Sequence, residues 1–279
     1  MQVLLTNDDG VDAAGLSALR ECLIDVATTV VTVAPARDCS GLARSCTFKT
    51  PVSVTRRQGG RHPVYVCDGT PTDCVRLALL AGLVDDVALV VSGVNHGTNL
   101  GDDVYYSGTV SAGFEAALLG VSSVCVSQQS SRPWPDHEPD AAPVAELSFD
   151  AAASVAASIA AALATSRPTE PLVLSVNVPA RPASREVILT RLGVRPYTHG
   201  SVDPAHDDGV TRSYYLFGPP GEEPPLPAGA HGTDFAAVQN GRISLTPLYL
   251  APDVDDLPSG QHQLLSSVLA AVNEHPHDL

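Results

Sequence analysis

The sequence predicts an α/β protein built on a doubly wound, mostly parallel sheet. Three observations predict it. Apolar runs of strand length alternate with helical patterns from Met1 to about Asn177, the order expected when crossover helices join parallel strands. One run, Val87-Ala88-Leu89-Val90-Val91, is apolar throughout, as a central strand covered on both faces must be. The runs end in loops rich in Gly, Asp, Ser and Asn, and open α/β sheets bind ligands beyond the carboxyl ends of their strands.

Each element has its own local reason. Val3-Leu4-Leu5-Thr6 reads as a first strand that breaks into the turn Asn7-Asp8-Asp9-Gly10. Leu16, Leu19 and Leu23 then recur at helical spacing. Thr28–Pro35 is β-branched, which suits a second strand, and its exit loop carries Cys39-Ser40-Gly41. Alternating segments around Thr47–Thr55 and Val64–Cys67 flank the polar stretch Arg56–Arg61, predicting a hairpin. Thr70 or Asp68 caps a helix through Val75, Leu77, Leu79 and Leu80, with Pro71 at its first position. The strand at Val87 exits into the loop Ser92–Asp103, and Ser107-Gly108-Thr109 opens a helix to about Leu119. Val121–Ser127 and Leu172–Asn177 read as strands, separated by a proline-rich surface loop, Gln128–Pro143, and an alanine-rich helix, Ala151–Ala164.

Beyond Arg185 the alternation stops. Val187–Leu189, Ser213–Phe217 and Arg242–Leu245 read as short strands, Gly218–Gly232 as irregular, and Gln261 to about Glu274 as a last helix. The chain is therefore expected to divide into a core, residues 1–185, and an extension, residues 186–279, that packs on the core or on another subunit.

Charge and composition exclude several classes. The 279 residues carry a formal charge of −15, which repels the phosphate backbone of a nucleic-acid polymer. The six cysteines form no C-x-x-C pair, so they read as reduced thiols of a cytoplasmic protein. No basic-then-apolar leader opens the chain, and the alanine run is too short and too rich in serine to cross a bilayer.

Three strand exits carry the candidate chemistry. The first offers Asp8 and Asp9, the second Ser40, the third Asn95. Adjacent carboxylates repel, so such a pair needs a cation or a retained proton. Carboxylate, hydroxyl and amide oxygens together suit one hard divalent cation, Mg²⁺ or Mn²⁺. The segments Asn99–Gly101 and Ser107-Gly108-Thr109 supply hydroxyls and backbone N–H groups, an anion cradle at a helix start. Taken singly, Asp8 and Ser107 read equally as helix caps, and Asn95 and Asn99 as turn residues. His96, His199, His206 and His231 read as solvated or capping residues. No G-x-x-x-x-G-K-[ST], no G-x-S-x-G and no Asp-x-Asp after the first strand is present. The pattern points to a phosphate ester as substrate and a water as nucleophile, with either Asp8 or Asp9 placed to orient or deprotonate that water.

With these segments in view, the chain resembles the SurE, or stationary-phase survival, family of metal-dependent 5′(3′)-nucleotidases. The carriers are Thr6–Gly10, Ala34-Pro35 with Ser40-Gly41, Gly69–Val75, Ser92–Asn95, Asn99–Asp103 and Tyr106–Thr109, with Asn177-Val178-Pro179, Thr190–Gly193, Thr233-Asp234 and Ile243–Leu248 downstream. The resemblance implies Asp8, Asp9, Ser40 and Asn95 as metal ligands and Asn99, Ser107, Gly108 and Thr109 as phosphate-side positions. It implies nucleoside monophosphates as substrates. It implies a Rossmann-like core with a C-terminal hairpin arm and terminal helix exchanged within a homodimer or homotetramer. Two departures stand out. Leu42-Ala43-Arg44 follows Ser40-Gly41 where the family carries small polar residues, leaving Arg44 as a substrate contact or a solvated loop arginine. The segment Asp207–Tyr215 keeps paired tyrosines but lacks the usual Pro/Arg turn. These departures motivate an alternative, the same chemistry on a modified nucleotide or sugar phosphate; a nucleotide sensor without turnover is the third reading.

Overall fold

In the computed structural model, the described residues form eleven strands and five α-helices in the order β1 (Gln2–Thr6), α1 (Ala14–Val26), β2 (Thr29–Pro35), β3 (Val54–Arg56), β4 (Val64–Cys67), α2 (Pro71–Leu80), β5 (Val87–His96), α3 (Gly108–Leu118), β6 (Ser123–Gln128), α4 (Asp150–Thr165), β7 (Val173–Val178), β8 (Val187–Leu189), β9 (Val202–Asp207), β10 (Arg212–Leu216), α5 (Asp234–Gln239) and β11 (Ile243–Leu248). The structure describes residues 1–129, 148–165, 168–195, 202–216 and 229–250. Most of the expected Gln128–Pro143 loop, most of the irregular Gly218–Gly232 stretch, the Gln261–Glu274 helix and His199 lie outside these residues. Met1–Leu248 forms one unit and Tyr249–Leu279 a second.

Nine strands make one sheet in the order β3-β4-β2-β1-β5-β6-β7-β11-β8. From β4 to β7 every neighbouring pair is parallel. The chain winds outward from β1 through β2 to β4, then crosses back to β5 and winds the other way through β6 to β7. The switch point of this doubly wound sheet therefore lies between β1 and β5, where a ligand crevice is expected.

The two faces are filled as the sequence periodicity requires. On one face Leu16, Leu19 and Leu23 of α1 and Ala152, Ala156 and Ala160 of α4 pack on Val3, Leu5, Val30 and Ala34. On the other, Val75 and Ala78 of α2 and Ala112 and Ala116 of α3 cover Leu4, Val31, Val33 and Val90. The α2 start is locally encoded. Thr70 accepts from the Asp73 N–H and the Asp73 carboxylate accepts from the Thr70 N–H, closing a capping box with Pro71 at the first helical position. Asp8, in contrast, caps no helix: α1 begins at Ala14 behind Ala13, without a side-chain cap.

Several expectations change. The third parallel strand runs on from Val91 to His96, so Asn95 lies within β5 rather than in the loop. The extension is irregular, with a register shift between Ser92 and Asn95. Gly93 permits it, at φ +127° and with Val126 O only 2.2 Å from where a Cβ would stand. The expected strand at Thr47–Thr55 shrinks to Val54–Arg56, because Thr47 is drawn off to Asp73, which accepts from its N–H and its hydroxyl at 2.9 and 2.7 Å. Beyond residue 185, β11 pairs antiparallel with β7, and β8 pairs parallel with β11, so both strands continue the same sheet. The β9–β10 hairpin stands apart as its own two-stranded sheet. Its first strand went unread because Pro204 interrupts it, and the pairing shifts register between Ser213 and Tyr214.

Candidate active site

The turn after β1 and the end of β5 meet at the switch point, and α3 points its first turn at them. Asp8 is 3% exposed, and its Oδ1 accepts the hydroxyl of Thr109. Gly108 lies so close that a Cβ there would stand 2.7 Å from Asp8 Oδ2; only glycine leaves room for the carboxylate. The Thr109 Oγ1 is also 3.5 Å from Asn95 Oδ1. Asn95 Nδ2 donates to the Gly97 carbonyl at 2.9 Å, which fixes the amide and turns its oxygen toward Thr109 and Asp8. Two carboxylates, an amide oxygen and a hydroxyl thus converge from three elements distant in sequence.

The electrostatics of this group are unfavourable as it stands. Burial raises the Asp8 carboxyl pKa, against the pull of the Thr109 hydrogen bonds. Asp9 is pushed up to about 7, first by burial, then by the charges of Asp8 and Asp38, with the His96 N–H offsetting part. Asp9 Oδ2 is buried and has no hydrogen-bond partner. Buried polar atoms normally find a partner, and this one faces a cluster of like charge. Among the described residues no group of three or more His, Cys, Asp or Glu side chains makes a metal site. A cation here would therefore depend on Asn95 and hydroxyl oxygens beside the two acids.

The other candidates separate. Ser40 is exposed, and its hydroxyl and N–H both donate to Asp38 Oδ1, at 2.6 and 2.8 Å. Its loop is nonetheless fastened to the acidic turn, because the Cys39 N–H donates to the Asp8 carbonyl at 2.7 Å. Ser107 caps α3, accepting from the Val110 N–H at 3.1 Å. Asn99 is buried and spends its side-chain donor on Ser127 at 2.8 Å, while its backbone pairs with the Asn177 side chain. Arg44 is exposed, yet its guanidinium has partners on α3. Its Nη2 donates to Glu115 Oε2 at 3.5 Å, and its guanidinium lies 6.0 Å from the Phe114 ring. Glu115 is buried on α3 and takes Arg76 of α2 on its other oxygen at 2.5 Å. His96 and His206 are exposed, in keeping with solvated residues.

One participant escapes the sequence reading: Asp38 adds a third negative charge near the pair, and its place in the exit loop of β2 is the only signal for it. Thr109, expected on the phosphate side, also donates its hydroxyl to Asp8.

Comparison with known proteins agrees with this architecture. A family model described as survival protein SurE matches residues 3–199. A 5′-nucleotidase SurE of Rubrobacter xylanophilus is 41% identical over 255 residues, 90% of this chain and 92% of that protein. A 5′-nucleotidase SurE of Geobacter sulfurreducens is 40% identical over 252 residues, 90% and 88% of the two chains. The crystal structure of the SurE protein from Aquifex aeolicus superposes with a TM-score of 0.74 at 32% identity, covering 95% of this chain and 99% of that one. With its family model matched over most of the core and relatives aligned along nearly its full length, the chain belongs to the SurE family.

Proposed function

We propose that this protein is a divalent-cation-dependent phosphomonoesterase that hydrolyses nucleoside 5′- or 3′-monophosphates to nucleoside and phosphate. One observation carries the reading: Asp8, Asp9 and Asn95 converge at the switch point with Asp9 Oδ2 buried and unpartnered. Acids pushed up in pKa beside an oriented amide oxygen, with no thiolate or imidazole among them, fit Mg²⁺ or Mn²⁺. Asp8, Asp9, Asn95 and Ser40 would hold it, one ion per subunit. Such a cation neutralises phosphate charge and lowers the pKa of a bound water.

The chain's own residues do the rest. Thr109 and Gly108 fix Asp8 in one orientation. Asp9, less enclosed and with an oxygen to spare, orients the attacking water and takes its proton. A phosphate oxygen meets the first turn of α3 through the Gly108 N–H, which has no helical acceptor, since the Thr109 N–H is already held by the Asp8 carboxylate. The names of the relatives support the substrate class. Arg44, which motivated a different phosphorylated substrate, is engaged by Glu115 instead.

The separate β9–β10 hairpin supports an arm exchanged within a homodimer or homotetramer. It is a lone two-stranded sheet, marginal by itself, and it exposes Val210, Tyr214 and Leu216. All six cysteines are free thiols, which supports a reducing, cytoplasmic setting. No helix among the described residues is long and apolar enough to cross a membrane.

The test is phosphate release from a panel of 5′- and 3′-monophosphates with Mn²⁺, with Mg²⁺ and with chelator. Turnover with metal and none with chelator is expected; inertness toward every nucleoside monophosphate refutes the assignment. Within it, Thr109→Val keeps side-chain shape but removes the hydroxyl that Asp8 accepts. Cation affinity is expected to fall about 10–100-fold, as when a group that orients a ligand is lost, read by Mn²⁺ titration on a protein of unchanged circular dichroism.

A further inference from the structure

A cavity of about 300 Å³ lies between α1, β2 and the β3–β4 hairpin. Its lining includes Ser17, Arg20, Thr32, Arg57 and His62, with Asp12 among them. Two arginines, Arg20 and Arg57, line this one cavity in a chain of net charge −15. The volume is at the lower end for a small-molecule site.

The hydrogen bonding of the lining is incomplete in a directional way. Thr32 is 1% exposed, and its Oγ1 is buried without a partner. Arg20 donates through Nη2 to the His62 carbonyl at 2.9 Å, while its Nε is buried and unpartnered. His62 Nδ1 accepts the Val30 N–H at 3.1 Å, which leaves the ring proton on Nε2 as a donor. Burial, then the charges of Arg20 and Arg61, lowers the His62 pKa, which favours the neutral ring. Arg57 grips Asp12 through two bonds of 2.6 and 2.8 Å. That pair sits at the rim, with side chains 46% and 76% exposed. The cavity is thus lined by two guanidinium groups and the His62 ring, and its one carboxylate is held at the mouth.

We propose that this cavity is a binding site for a small oxyanion, inorganic phosphate or a phosphomonoester the size of a sugar phosphate, taken up by Arg20 and Arg57. Guanidinium groups pair with phosphate through parallel hydrogen bonds. The incoming oxyanion replaces Asp12 on Arg57 and accepts from the outer edge of the Arg20 guanidinium. The site is separate from the strand-end acids: Arg20, Thr32 and His62 belong to α1, the middle of β2 and the approach to β4.

Asp12 makes the test specific, because it competes with the ligand for Arg57. Inorganic phosphate and ribose 5-phosphate are titrated calorimetrically into the full chain with excess chelator, which leaves Asp8 and Asp9 to repel anions from the other site. Saturable binding is expected for wild type, about tenfold weaker for Arg57→Gln and several-fold tighter for Asp12→Asn. Both positions are on the rim, and unchanged circular dichroism checks the fold. Tighter binding of ribose 5-phosphate assigns an ester, and equal binding assigns free phosphate; either result supports the site. Absence of saturable binding with both probes overturns it. So does an affinity that neither substitution alters, since the anion then sits elsewhere.

Discussion

Asp9→Asn is expected to abolish phosphatase activity while making the metal-free protein more stable. Removing one cation ligand and the proton acceptor together should lower kcat by about 10²–10³-fold or more, the range seen when a single charge-stabilising group is lost. The gain in stability follows from linkage. Asp9 is raised from 3.8 to about 7 in the fold, by burial and by the charges of Asp8 and Asp38. A carboxyl with a raised folded-state pKa contributes fully below its unfolded pKa and loses that contribution as pH rises through the folded value. In chelator, wild-type stability should therefore fall between about pH 4 and pH 7, and Asp9→Asn should lack that component. Each kcal/mol of relieved repulsion raises Tm by about 2–4 °C in a chain this long. Thermal melts of both proteins across this pH range, with and without Mn²⁺, check it. A variant less stable than wild type in chelator, or one that still turns over substrate, rejects the role given to Asp9.

Asp234→Ala is expected to have the largest effect on stability. Asp234 is 1% exposed. Its Oδ2 accepts the Gly101 N–H at 2.7 Å, and its Oδ1 accepts the N–H groups of Gly193 and Phe235 at 2.8 and 2.9 Å. One side chain thus ties the Gly101 turn after β5 to two segments of the C-terminal region. Beside it Arg195 grips Asp103 through bonds of 2.8 and 2.6 Å and stacks 5.3 Å from the Phe235 ring. Alanine strands the Gly101 and Gly193 N–H groups in the interior. At about 1–3 kcal/mol for each orphaned donor, the loss is about 2–6 kcal/mol. Asp234→Asn keeps one acceptor oxygen and should fall between wild type and alanine. Urea denaturation of the three proteins measures the series, and equal midpoints would show that the junction bears no load.

What the sequence made legible was whatever is decided within a few residues. Alternation placed β1, β2, β5, β6 and β7. The Thr70/Asp73 spacing placed the start of α2. The strand exits located Asp8, Asp9 and Asn95 at one end of the sheet. What it hid depends on partners far along the chain. Thr109 is 101 residues from Asp8, and nothing local distinguishes it from any residue in a first helical turn. Arg44 looked free because Glu115, its partner, is 71 residues away on a helix that reads as wholly apolar nearby. Thr47 had strand-like neighbours and lost them to the Asp73 carboxylate. Asp234 read as an ordinary acidic residue, since the N–H groups it collects belong to Gly101 and Gly193.

The junction at Glu115 has a mechanical consequence. The stretch from Cys39 to Arg44 is strung between two moorings: the Cys39 N–H on Asp8, and the Arg44 guanidinium on α3. Ser40 rides on that short span. Tied at both ends, that span is less free to swing from the rim than a hinged flap. A cation arriving at this end of the sheet would therefore be met by a span that tightens rather than swings, with α3 as its fixed end.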